Sequence, residues 1–172
     1  GGIVSWFAFD EGSGGTVGDH YGRVGAITGT TWDTVGHSGS ALDFNGSTSS
    51  VTVQDDQGLE FGSALTMAAW VRPNTTSGWQ TGIIKEASGN FSYVLYVSDD
   101  TGKPIAAINS GGAQISVSGS SPLAINTWSH LAATFDGSTL RLYVNGTQVG
   151  STEFTGTIDV STGPLRVGGN SI

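Results

Sequence analysis

The sequence predicts an all-β fold, an antiparallel sandwich or barrel, and three observations carry that expectation. Helical periodicity is almost absent: apolar residues alternate or run for four to six positions and then meet a turn signal, as strands do. Ten or more such stretches recur at roughly 8–12-residue spacing, with no helix available to cross between parallel strands. The chain also carries 28 glycines and few strong helix formers, a composition suited to short strands joined by tight turns.

A first strand is expected over residues 3–9 (IVSWFAF), stopped by the turn sequence DEGSGG at 10–15. A short strand at 41–44 ends at Asn45-Gly46, and Val51-Thr52-Val53 follows almost at once. Residues 45–50 therefore read as a tight connection between neighbouring strands. A single helical turn fits at 60–64. In 65–71 (LTMAAWV) a period of two places Leu65, Met67, Ala69 and Val71 on one face and Trp70 on the other. Arg72-Pro73-Asn74 closes it. Residues 83–85 and 91–97 flank a turn at 86–90, and 105–109 and 114–117 flank another at Ser110-Gly111-Gly112. Residues 128–135 run to Asp136-Gly137, and 139–144 turns Leu140, Leu142 and Val144 inward, with Arg141 and Tyr143 outward. Asn145-Gly146 is the strongest hairpin signal, because both central residues of a type I′ turn need positive φ.

At 172 residues the expected organisation is one domain over 1–172. Hydrophobic residues make up 37%, including five Trp, four Tyr and seven Phe, which is enough for a packed core rather than a disordered chain. Six Lys plus Arg against 14 Asp plus Glu give a net charge of −8. Six scattered cations make no basic patch, so nucleic acid is excluded as a partner. No stretch reaches the ~18 apolar residues of a membrane helix, so no membrane insertion is expected. Without cysteine there is neither a disulfide framework nor a thiolate metal site. Gly1-Gly2 lead straight into a strand-like run, so an export signal, if one exists, has been removed or lies upstream.

Several of these segments together resemble one family. FDEGSG at 9–14, GSALDFNG at 39–46, LTMAAWVRP at 65–73, NTWSHL at 126–131, LYVNG at 142–146 and LRVGGN at 165–170 occur in the family's order. They resemble the laminin-G-like jelly roll of the concanavalin A-like lectin and glucanase superfamily, across nearly the whole chain. The resemblance implies an antiparallel two-sheet β-sandwich of jelly-roll type. It also implies a non-catalytic, exported binding or adhesion module, secreted and in some members attached at a cell surface. Fold alone does not settle function. The resemblance further implies a closing strand of the type G-x-I-D-E-V-x-I-Y, whereas here Gly168-Gly169-Asn170 is followed only by Ser171-Ile172. A hairpin turn without its second strand should leave unpaired backbone groups beside a hydrophobic groove, expected next to residues 165–167. Either the last strand is absent from this sequence, or the chain is a structural subunit whose open edge accepts a β-strand from another protein chain.

Sugar binding needs an exposed aromatic face beside planar polar groups, because C–H faces stack on rings while hydroxyls seek amides and carboxylates. Trp79, in the polar stretch TTSGWQ at 75–80, is the candidate platform, with Asn74, Gln80 and Asn109 as polar partners. The alternative is that Trp79 folds back as a lid on the core. Tyr93 and Tyr96 fall on opposite faces of their strand, so at most one can join. Trp6, Trp70 and Trp128 read as core or sheet-face residues.

A structural Ca²⁺ is the one cofactor expected, since hard cations take six to eight oxygen ligands. Asp10, Asn45 and Ser47 are its candidate ligands. The family resembled places a calcium near these turns and draws a further ligand from the closing strand. The alternative is that Asp10 and Asn45 cap their own turns. Asp55-Asp56 and Asp99-Asp100 read as solvated turns.

Catalysis is not expected. A retaining glycosidase needs two carboxylates about 5 Å apart, and no strand here carries alternating acids; Asp10-Glu11, Asp55-Asp56 and Asp99-Asp100 are adjacent pairs whose side chains diverge on extended backbone. His20, His37 and His130 have no triad context and no G-x-S-x-G elbow accompanies them, and His130 reads as a structural histidine. Sequons at Asn45, Asn74, Asn90 and Asn145 are compatible with export. The expected partner is a glycan or surface polymer met outside the cell.

Overall fold

The alternation read as strand is realised in fourteen strands, which a computed structural model describes over residues 2–172. They are β1 (Thr16–Gly18), β2 (Val24–Thr28), β3 (Thr31–Asp33), β4 (Ala41–Asp43), β5 (Ser50–Val53), β6 (Leu65–Val71) and β7 (Gln80–Ala87). Then follow β8 (Asn90–Ser98), β9 (Ile105–Ser110), β10 (Ala113–Ser118), β11 (Ser129–Phe135), β12 (Thr139–Val144), β13 (Thr147–Glu153) and β14 (Leu165–Val167). An eight-stranded sheet runs β1-β2-β5-β14-β7-β8-β9-β10, a four-stranded sheet runs β13-β12-β11-β6, and β3-β4 form a separate ribbon. Every named pair is antiparallel.

The two larger sheets bury a common core. Val53, Leu95 and Ile108 come from one side, and Leu65, Met67, Leu131, Phe135 and Leu142 from the other. Each fully buried side chain of this kind is worth roughly 1.5–3 kcal/mol of apolar transfer. The predicted faces hold: Leu65 and Met67 are buried while Trp70 is exposed, and Leu140 and Leu142 are buried. Asn145 (φ 51°) and Gly146 (φ 79°) both take positive φ and join β12 to β13 as the dipeptide requires.

One side of the sandwich is closed and the other is open. On the closed side β13 lies against β10: Thr152 Oγ1 donates to the Ser116 carbonyl at 2.8 Å, and a Cβ at Gly150 would sit 2.6 Å from the Ser118 carbonyl. Only glycine allows that approach. On the open side β6 has β11 as its one ladder neighbour and its other edge is bare. A cleft of about 2060 Å³ enters the sandwich there, lined by Phe7, Leu42, Phe44, Met67, Trp70 and Trp79 among others.

Four local expectations are corrected. Residues 3–9 form no strand; they make one bridge, Phe7 with Asp19, because they border the open cleft and have no ladder to join. The 45–50 connection does not link neighbours: β4 pairs with β3, while β5 lies between β2 and β14. The helical turn falls at Gln57–Leu59 rather than 60–64, because Asp56 caps it by accepting from the Gly58 N–H at 2.7 Å. Residues 165–167 line the cleft as expected, but they leave no unpaired backbone edge, since β14 is flanked on both edges by β5 and β7. An unpaired edge lies instead on β6, a terminal strand of the four-stranded sheet.

Candidate functional site

The connection from β6 to β7 carries Asn74, Trp79 and Gln80. Arg72 and Pro73 stop β6, since proline supplies no ladder N–H. The loop is then pinned at several points. The Asn126 N–H donates to the Pro73 carbonyl at 2.7 Å, and Ser98 Oγ donates to the Gly78 carbonyl at 2.7 Å. Gln80 Nε2 reaches back to the Thr75 carbonyl at 3.0 Å, and the Ser77 N–H donates to Thr75 Oγ1 at 3.1 Å. Such bonds hold a loop as a platform rather than a tether.

Trp79 does not fold over the core. It is 52% exposed and stands edge-on to Tyr96, with ring centroids 4.9 Å apart at 73°. Tyr93 points into the core, so Tyr96 alone joins, and burial pushes its phenol above the ordinary range. Beyond Tyr96 the same face continues over a register row, Ala107, Val94 and Ile84, to Arg166. The row thus has an aromatic end, a fully buried apolar floor and a charged end. Which of the two tyrosines joins, and this floor, were hidden in the sequence, because a run such as FSYVLYV buries both faces and shows no alternation.

At the charged end Arg166 Nε donates to Glu86 Oε2 at 3.0 Å, and Ser171 donates its N–H and Oγ to the same carboxylate at 2.6 and 2.9 Å. Burial raises the Glu86 carboxyl, but Arg166 and Ser171 outweigh it and hold the pKa below the ordinary glutamate value. A depressed carboxyl contributes stability above its unfolded pKa, about 4.3, and loses it as pH falls through the lower folded value. Thermal melts should therefore show a midpoint falling below about pH 4, with a shallower fall in Glu86→Gln.

The other predicted residues are placed elsewhere. Asn109 is 3% exposed, and its Nδ2 donates to Asn90 Oδ1 and to the Phe91 carbonyl. It lies four residues along β9 from Ile105, the partner of Tyr96, or about 13 Å away. It is a buried tie and does not reach the loop. Asn74 is exposed within the loop. The calcium candidates do not fit a cation: Asn45 Oδ1 accepts from the Ser47, Thr48 and Ser49 N–H groups at 2.9–3.1 Å and from two hydroxyls. Asp10 Oδ1 takes the Ser40 N–H at 3.2 Å, and Ser47 Oγ donates to Asn45 Oδ1. Asn45 and Ser47 thus serve their own turn, whereas Asp10 ties to the β3–β4 connection. Asp55 and Asp56 keep solvent contact, with side chains 31% and 43% exposed, and each also forms an ion pair, with Lys85 and Arg23. Asp99, 9% exposed, accepts from Thr101 and Lys103.

Two packed antiparallel sheets in this strand order define a jelly-roll β-sandwich, with Trp79 exposed on the β6–β7 connection. The chain belongs to the concanavalin A-like lectin/glucanases superfamily, whose laminin G-type family model matches residues 45–171. No curated protein sequence matches it. Among solved structures it is similar to domain 4 of AbnA, a GH43 extracellular arabinanase from Geobacillus stearothermophilus, in complex with arabinotriose. That match has a TM-score of 0.71 at 18% identity and covers 96% of this chain and 84% of that one. It is also similar to the botulinum neurotoxin serotype C1 binding domain, with a TM-score of 0.66 at 16% identity, covering 99% of this chain and 43% of that one. A structure of botulinum neurotoxin type C, whose cell entry depends on two ganglioside molecules, matches with a TM-score of 0.63 at 14% identity over the same shares. At these identities the likeness establishes the fold.

Proposed function

We propose that this chain is a non-catalytic, extracellular glycan-binding module whose ligand stacks a sugar ring on Trp79. The observation that carries this is an indole 52% exposed on a loop hydrogen-bonded to two other segments and closed on itself. A large aromatic held rigid at the surface offers a preorganised face for a ring to stack on. The fold is shared with an arabinanase domain bound to arabinotriose and with ganglioside-dependent neurotoxin binding domains, which supports a carbohydrate partner. A non-catalytic role is supported by the acids lining the cleft. Of Asp10, Asp33 and Asp43, two are committed, Asp10 to the Ser40 N–H and Asp33 to Arg72. No helix among the described residues is long and apolar enough to cross a membrane. Retention of the wild type on a printed glycan array, lost in Trp79→Ala, tests the reading.

A second reading, a structural subunit completed by a β-strand from another chain, is supported by the bare edge of β6. Over Leu65–Val71 that edge has no charge, proline or bulge to discourage pairing, and it borders the open cleft. Light scattering should then show concentration-dependent association that Ala68→Pro abolishes. Monomers at every concentration reject it.

A further inference from the structure

We infer that the Trp70 indole is a second sugar-stacking platform, occupied in the free protein by the His37 imidazole. This rests on the glycan-binding reading above but uses none of the Trp79 contacts. β6 presents Trp70 on the outer face of the four-stranded sheet, 46% exposed. The His37 ring, from the β3–β4 connection, lies on it at 3.5 Å between centroids and 12° between planes. His130, the cross-strand partner of Trp70, meets it edge-on at 5.2 Å. Trp128 stands 6.1 Å from His37 at 77°, and the Arg72 guanidinium sits 5.2 Å above the Trp128 ring. Arg72 in turn donates to Asp33 Oδ2 at 2.8 Å.

A flat ring lying parallel on an indole occupies the place and orientation that the C–H face of a sugar would take. The polar groups around it have unused capacity. Among the described residues only Trp32 donates an indole N–H within the protein, to the Gly14 carbonyl. The N–H groups of Trp70 and Trp128, and most of the five donors of Arg72, are left for hydroxyls. Arg72 and Asp33 neutralise each other, so the site offers no net charge and suits a neutral sugar rather than an acidic one.

His37 is placed to leave. It is exposed, and the bonds of its loop join neighbours on either side: Val35 N–H to Asp33 Oδ1, Gly36 N–H to the Gly39 carbonyl, and Ser40 N–H to Asp10 Oδ1. None holds the imidazole, so a χ1 change uncovers Trp70 without undoing the loop. An occupant that must be displaced lowers the apparent affinity by the fraction of molecules in which it is seated.

The test titrates wild type, His37→Ala, Trp70→Ala and Trp79→Ala with neutral linear pentose and hexose oligosaccharides of one to six rings, read by array retention and tryptophan fluorescence. His37→Ala, which touches no core residue, should bind about three- to tenfold tighter, and Trp70→Ala about tenfold weaker. If His37→Ala binds no better, the inference falls whatever Trp70→Ala does to folding. If Trp79→Ala alone abolishes retention while the other two variants match wild type, it falls and the glycan reading stands. If neither wild type nor His37→Ala retains any sugar, both fall.

Discussion

Trp79→Ala is expected to weaken glycan retention about thirtyfold, the equivalent of about 2 kcal/mol for a central tryptophan contact. The reason is the division of labour in the β6–β7 loop. The backbone bonds to Asn126 and Ser98 and the Gln80–Thr75 closure do not involve the indole, so alanine removes the platform and leaves its mount. With 52% of the residue exposed, little core packing is lost, and the melting midpoint should move by no more than a few degrees. Trp79→Phe should retain part of the affinity, since it keeps a stacking face. Tyr96→Ala should weaken binding less than Trp79→Ala, because Tyr96 supports the indole from its edge. Calorimetric titration on the strongest array responder decides it; equal affinity of wild type and Trp79→Ala would move the site elsewhere.

Asp55→Ala is expected to destabilise the fold by about 3–5 kcal/mol, the cost of leaving a buried charge without its partner. The Lys85 side chain is fully buried on the core side of β7, and its ammonium donates to the Asp55 carboxylate and to the Gly163 carbonyl. Asp55 itself retains 31% side-chain exposure. The two partners are therefore unequal. Removing Asp55 strands the ammonium where water cannot reach it, whereas Lys85→Met fills the same volume and leaves a carboxylate able to hydrate. Denaturant titration should rank Lys85→Met well above Asp55→Ala in stability. The opposite order would show that Asp55 contributes nothing to holding Lys85.

The contrast between these two residues shows what could be read in advance. The Trp79 platform is local: a lone tryptophan in a run of polar turn residues is visible in the sequence because no strand or helix pattern claims it. Its position, with Gln80 and Asn74 on the same loop, follows from chain proximity. The Lys85–Asp55 pair is non-local, joining residues 30 apart. Along the chain Asp55-Asp56 looks like any acidic turn, and Lys85 like an edge charge in IIKEA. Nothing in the sequence shows that the face Lys85 takes on its strand is the core. Asn109 fails as a ligand for the same reason, since its partners Asn90 and Phe91 arrive from the neighbouring strand.

By itself the sequence determined the β class, the hairpins and the inward faces of β6 and β12, because period-two alternation and the Asn-Gly turn act over a few residues. Only the tertiary structure decided which strands are neighbours and therefore where an edge is left bare. The sequence placed that edge beside 165–167, yet β14 is enclosed by β5 and β7 and the open edge lies on β6. Strand order depends on pairings between distant segments, and a strand reads the same in sequence whether one neighbour or two hydrogen-bond to it.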